Sequence, residues 1–170
     1  MQKQKGMVLV ISLILLIVLT LIGISSMQNT IVEEKMAGNS RDRDLALKGA
    51  EAAVRAGETY VGTLTTTSGF TNANGLYAFL GNDPDYLSAT TWSGTNSVTY
   101  TAGMSELDTN PRYTIKVLGN LPATNPSLLV VGYGDAPSAA AITLFRVTGY
   151  SAGGSGLSRG VIQSHFGRTF

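Results

Sequence analysis

From Gly6 to Val32 the chain has no charged residue, and its apolar heart, Met7 to Ile24 (MVLVISLILLIVLTLIGI), is interrupted only by Ser12, Thr20 and Gly23. A helix rises about 1.5 Å per residue, so roughly 20 such residues cross the hydrocarbon layer of a bilayer. A helix also satisfies its own backbone hydrogen bonds in lipid, which no other isolated segment does. Lys3 and Lys5 precede the run without an acid, so the short tail is expected to stay cytoplasmic. Everything beyond about Met27 is then expected across the membrane. A cleaved secretory signal is the competing reading, with Gly23-Ile24-Ser25 as its small-x-small site, but the run exceeds the roughly 7–15 apolar residues of a signal core.

Composition removes several classes of chemistry. The chain has 170 residues, room for one ordinary domain beyond the apolar segment. It has no cysteine, which excludes disulfides, thiolate metal sites and cysteine nucleophiles. Its one histidine, His165, excludes a multi-histidine metal cluster within one chain. A net charge of +1 with 14% charged residues gives no basic surface of the kind nucleic acid requires. No cofactor is implied.

After Val32 charges appear among alanines and leucines with no turn signal. Leu45, Gly49, Ala52, Ala53, Ala56 and Tyr60 recur every three or four residues and predict one apolar stripe. Asp44 with Lys48, and Glu51 with Arg55, stand four apart in the favourable orientation. One helix is therefore expected from about Met7 to about Tyr60, roughly 80 Å at the standard rise. Gly38-Asn39-Ser40 is its weak point, and a kink or local melting is expected there, because glycine costs about 1 kcal/mol in a helix and Asn and Ser compete for backbone bonds.

The remainder reads as a small strand-rich headgroup. Thr63 to Ser97 is a polar loop with apolar anchors and one short helix near Leu76–Leu80. Strands are expected over Val98–Ala102, Arg112–Leu118, Leu128–Val131, Ile142–Tyr150 and Leu157–Phe166. Tyr113, Ile115 and Val117 alternate with Arg112, Thr114 and Lys116, the pattern of a half-buried strand. The last two strands flank Ser151–Gly156 (SAGGSG), a connection suited to a hairpin. Strands without intervening helices imply an antiparallel sheet with the amphipathic helix on one face, hence an α+β fold.

A basic leader ending in Gly6, an apolar helix directly after it, and an amphipathic continuation on an antiparallel sheet resemble a type IV pilin. More narrowly, Met7–Glu58, with GISSMQNTIVEEKMAGNSRDRDLALKGAEAAVRAGE at its heart, is similar to the N-terminal region of the PilX family of minor pilins. The closing FRVTGYSAGGSGLSRGVIQSHF is similar to that family's C-terminal hairpin. The resemblance divides the chain into a leader (1–6), a transmembrane and fibre-core helix (7–27), an amphipathic helix (28–60) and a sheet headgroup (61–170) with long loops at 61–97 and 121–138. It implies that prepilin peptidase cuts between Gly6 and Met7 and methylates the new amine on Met7. It implies storage in the inner membrane, headgroup in the periplasm, and later a place in a surface pilus. Its implied partners are other minor pilins, the major pilin, prepilin peptidase, the inner-membrane assembly machinery and, before assembly, the lipid bilayer.

Two departures from the pilin pattern stand out. Most pilins have a glutamate as the fifth mature residue, and here that position is Ile11. In the family this carboxylate pairs with the terminal amine of the subunit ahead, and a lone acid in lipid is costly. Ile11 cannot make the pair, which suits a subunit at the fibre tip with nothing ahead of it. The other departure is the missing cysteine pair that pins the C-terminal loop of many pilins. The final strand is then expected to be held by sheet bonding and packing alone.

Other motifs compete. Gly149-Tyr150-Ser151-Ala152-Gly153 and Gly156-Leu157-Ser158-Arg159-Gly160 match G-x-S-x-G, but a nucleophile elbow needs a helix after the serine. No acid follows Asp135, and His165 shares a strand face with Val161 and Gln163, directed to solvent or a partner. Gly132-Tyr133-Gly134 resembles a dinucleotide turn without its third glycine. Asp83 with Asp85, and Asp108 with Asn110, offer oxygens to calcium but read equally as turn residues. The expected role is therefore structural and non-enzymatic: a minor pilin priming pilus assembly, supporting twitching motility, attachment or DNA uptake. The alternatives are a tip-displayed adhesin or surface sensor, a minor pseudopilin of a type II secretion system, and a periplasmic domain on an unprocessed anchor.

Overall fold

The computed structural model describes residues 6–101, 103–121 and 141–170. The expected strand at Leu128–Val131 and the Gly132-Tyr133-Gly134 turn lie outside these residues, as does most of the loop at 121–138. Helix α1 covers Met7–Thr63, followed by β1 (Leu76–Tyr77), β2 (Val98–Thr99), β3 (Arg112–Leu121), β4 (Ile142–Ala152) and β5 (Arg159–Thr169). The chain divides into two compact units, the residues up to Arg41 and Asp42–Phe170. This is the α+β arrangement expected.

The expected melting at Gly38-Asn39-Ser40 does not occur; all three residues are helical. A break there would sacrifice bonds on both sides, and re-nucleating a helix costs more than the weak propensities of three residues.

In the second unit α1 lies on the sheet through Ala46, Gly49, Ala50, Ala53, Val54, Gly57 and Val61. Only Gly49 and Ala53 of the predicted stripe belong to this face. Leu45, Ala52 and Ala56 are half-buried at its border and Tyr60 is exposed. Closeness of approach, not hydrophobicity, selects the face. A Cβ on Gly160 would sit 2.7 Å from the Ala46 carbonyl oxygen, and one on Gly153 would sit 2.6 Å from that of Asp42. Gly160 on β5 and Gly153 just after β4 thus admit the helix backbone itself.

The sheet order is β1-β3-β4-β5, with β2 also on β3. β3–β4 and β4–β5 are antiparallel, but Leu76–Tyr77 pairs parallel with Ile115–Lys116. The sheet is therefore mixed, and the short helix expected near Leu76–Leu80 is replaced by β1. Gly75, with φ +76°, turns the chain against Ser97 and Val98, and its carbonyl accepts the Ile115 N–H at 2.8 Å. β4 matches its expected strand closely, but β2 is only Val98–Thr99 of the expected Val98–Ala102, β5 is shifted to Arg159–Thr169, and β3 runs on to Leu121 past an irregularity between Val117 and Gly119.

Tyr113, Ile115, Val117, Phe145 and Val147 face α1 and form the core with Val61 and Phe70. Phe145 is fully buried, with Phe70 at 5.5 Å and Phe170 at 6.1 Å between ring centroids. The alternation of a half-buried strand predicts solvent on the opposite face of β3, yet Thr114 and Lys116 are buried. The segment after β1 covers it. Lys116 Nζ donates to the Gly81 carbonyl at 2.8 Å and pairs with Asp83 at 2.6 Å. Arg112 donates to the Ser97 hydroxyl at 2.7 Å, and Trp92 stacks on Tyr150 at 4.9 Å. The surface pairs Asp44–Lys48 (2.9 Å) and Glu51–Arg55 (3.8 Å) form as spaced, but both are exposed to solvent and add little to stability.

Candidate functional site

Among the described residues of the first unit, α1 begins with an apolar stretch that is left exposed. Leu13, Leu16, Ile17 and Leu19 are 48–66% exposed, and the segment meets the length and hydropathy of a membrane span. Its few hydroxyls are satisfied within the helix: Ser12 donates to the Leu9 carbonyl and Thr20 to that of Ile17, each at 2.8 Å. They therefore add little cost in a medium without water.

Gly6 is exposed and non-helical, and Met7 opens α1. The Gly6–Met7 bond thus lies at the start of α1. Ile11 is half exposed, one turn further on. No acid occupies the first turn of α1, and the first acid after Met7 in sequence is Glu33.

The headgroup holds its C-terminal hairpin through polar clamps, not by sheet bonding and packing alone. Ser155 donates its N–H at 2.8 Å and its hydroxyl at 2.6 Å to the Asp42 carboxylate. The Ser164 hydroxyl donates to Glu58, and Arg168 donates to the Val61 carbonyl at 2.7 Å, near the end of α1. The hydroxyls of Ser155 and Ser158 hold the Asp42 carboxyl down to about 2. Asp42 in the run RDRD reads as one more solvated charge, and a single sequence offers no sign of its distant partners.

The sign of the pH effect follows. A carboxyl depressed on folding stabilises above its unfolded value of 3.8 and loses that contribution as pH falls toward about 2. Asp42→Asn should therefore remove acid dependence of hairpin anchoring in that window while leaving the core intact. Exchange of the Ser155 amide, followed between pH 5 and 2, checks this: wild type should speed up relative to the variant as pH falls.

The G-x-S-x-G serines are structural. Ser151 is fully buried, donates to the Ala152 carbonyl at 3.1 Å, and lies against Gly49 of α1. Ser158 helps lower the Asp42 carboxyl, and glycines and β5 follow the serines instead of a helix. His165 stands on the exposed side of β5 with Val161 and Gln163. Asp83 of the calcium reading is occupied by Lys116 and Arg146, whose Nη2 lies 2.5 Å away. Asp85 closes a turn, accepting the Leu87 N–H at 3.0 Å. Among the described residues no group of three or more His, Asp or Glu is placed to hold a metal ion.

A hydrophobic helix running into a sheet headgroup is matched by two family models. PilX N-terminal matches residues 5–55, and Type IV pilus assembly protein PilX C-term matches residues 48–168. The chain belongs to the PilX family. It is thus a type IV pilus minor pilin, of a family whose members are structural subunits and not catalysts. PilX membership implies association with other pilins and with assembly machinery, and the apolar helix suits membrane anchoring. No curated protein and no solved structure matches the chain.

Proposed function

We propose that this PilX-family subunit primes type IV pilus assembly from the fibre tip, and so supports twitching motility and surface attachment. Residues 1–6 form a leader that prepilin peptidase removes between Gly6 and Met7, followed by methylation of the Met7 amine. Residues 7–27 then anchor the subunit in the inner membrane, with residues 28–60 and the headgroup on the periplasmic side, until it joins the major pilin and other minor pilins.

The observation that supports the tip position is the pairing deficit at the start of α1. The new amine adds positive charge to the positive end of a helix dipole. Its own chain offers no carboxylate nearby: position 11 is isoleucine, and Glu33 lies about 39 Å along a helix. The amine can accept a follower's glutamate, but the subunit offers none to a subunit ahead. It is fitted to be first.

Ile11→Glu tests this. The variant should be displaced from the tip, seen as labelling along the fibre shaft, and the number of fibres per cell should fall severalfold. Unchanged fibre number with label still confined to the tip contradicts the reading.

A further inference from the structure

β5 is an edge strand, with β4 its one neighbour in the sheet among the described residues. The Gly153 N–H donates to the Ser158 carbonyl at 2.8 Å, which fixes the phase of the β4–β5 ladder. Antiparallel pairs alternate between bonded and non-bonded. Gly160, Ile162, Ser164 and Phe166 therefore turn their backbone groups toward β4. Val161, Gln163, His165 and Gly167 turn theirs outward.

Natural edges are usually blunted by proline, lysine, a bulge or shortness. β5 has none of these. It is 11 residues long, contains no proline or lysine, and stays in unbroken register from Thr169 opposite Ile142 to Arg159 opposite Ala152. Its outward row, Val161, Gln163 and His165, bears no carboxylate. From Ile142 to Phe170 the chain has Arg146, Arg159 and Arg168 and no acid. Arg146 is neutralised by Asp83, which leaves Arg159 near one end of the edge and, near the other, Arg168, whose guanidinium also holds the Val61 carbonyl, while the Glu58 carboxylate sits at mid-strand on Ser164.

We propose that this edge receives an extended segment of a partner protein, uncharged at its centre and acidic at its ends, which joins the sheet as a further strand. Main-chain bonds to the outward groups supply affinity, and the flanking arginines select the charge.

The test uses the full-length chain in detergent micelles and a capped peptide of alternating threonine and valine with glutamate at both ends. A peptide with lysine ends is the comparison. Amide exchange at Val161, Gln163, His165 and Gly167 should slow by at least about tenfold with the acidic peptide and not with the basic one, a difference of about 1.4 kcal/mol. Gln163→Pro removes one outward N–H and should abolish this protection. Its β4-facing amides at Ile162 and Ser164 should stay protected, which shows that the strand still folds, because edge strands tolerate proline on the open side. Exchange unaltered by the acidic peptide, or slowed equally by both peptides, overturns the proposal. So does protection that rises with protein concentration alone, which would make a second copy the occupant.

Discussion

Alanine at Gly149 is expected to destabilise the headgroup by about 3 kcal/mol, the upper end for an overpacked core. A Cβ there would overlap the Ala50 carbonyl oxygen and lie 3.0 Å from the Val54 nitrogen, both backbone atoms of α1. A side chain in the way can rotate; a helix backbone cannot. Relief would require α1 to lift from the sheet, exposing Ala46, Ala50 and Ala53, which are all fully buried. The unfolding midpoint of the full chain in detergent should drop on the order of 10 °C. Gly62→Ala is the matched control. Its Cβ would meet nothing within 4 Å, so helix propensity alone acts and stabilises by up to about 1 kcal/mol. Equal effects of the two substitutions would mean that α1 does not rest on the sheet through these glycines.

Two aspartates in the apolar helix should release much of the protein from the membrane where one does not. Met7–Ile24 contains 14 leucines, isoleucines and valines. At about −0.5 kcal/mol each, they favour insertion by about 7 kcal/mol. One aspartate near the centre costs about 3 kcal/mol, so Leu15→Asp should still insert. Leu15→Asp with Leu19→Asp brings the cost level with the gain. Carbonate extraction of membranes should leave wild type and the single variant in the pellet and move a large share, about half, of the double variant to the supernatant. A double variant that pellets with wild type would contradict a bilayer-spanning role for this segment.

The parts of the fold legible in the sequence are those fixed by local pattern. The uncharged run, the charged helix after it and the alternation over Arg112–Leu118 each depend on neighbours in sequence, and each element formed. What depends on distant neighbours was not legible. The helix face chosen against the sheet is set by glycines about a hundred residues away, so an apolar stripe through Leu45 and Tyr60 misleads. Leu76–Tyr77 became a parallel strand because Gly75 meets Ser97 and Val98, a contact no periodicity contains. Alternation alone gives the Lys116 face of β3 to solvent, and the loop that buries Lys116 has no pattern to reveal it. The clamps at Asp42, Glu58 and Arg168 join residues 106 to 113 positions apart. At the start of α1 the reverse holds. The roles proposed for Gly6, Met7 and Ile11 rest on position in the chain, which the sequence alone gives.

In the proposed role one apolar helix anchors the subunit in lipid and then enters a fibre. Mass spectrometry of the subunit's N-terminal peptide, taken from sheared pili, tests this most directly. The account predicts a chain beginning at N-methylated Met7 in the fibre fraction. A subunit still carrying Met1–Gly6, or one found only in membranes and never in sheared fibres, would contradict it.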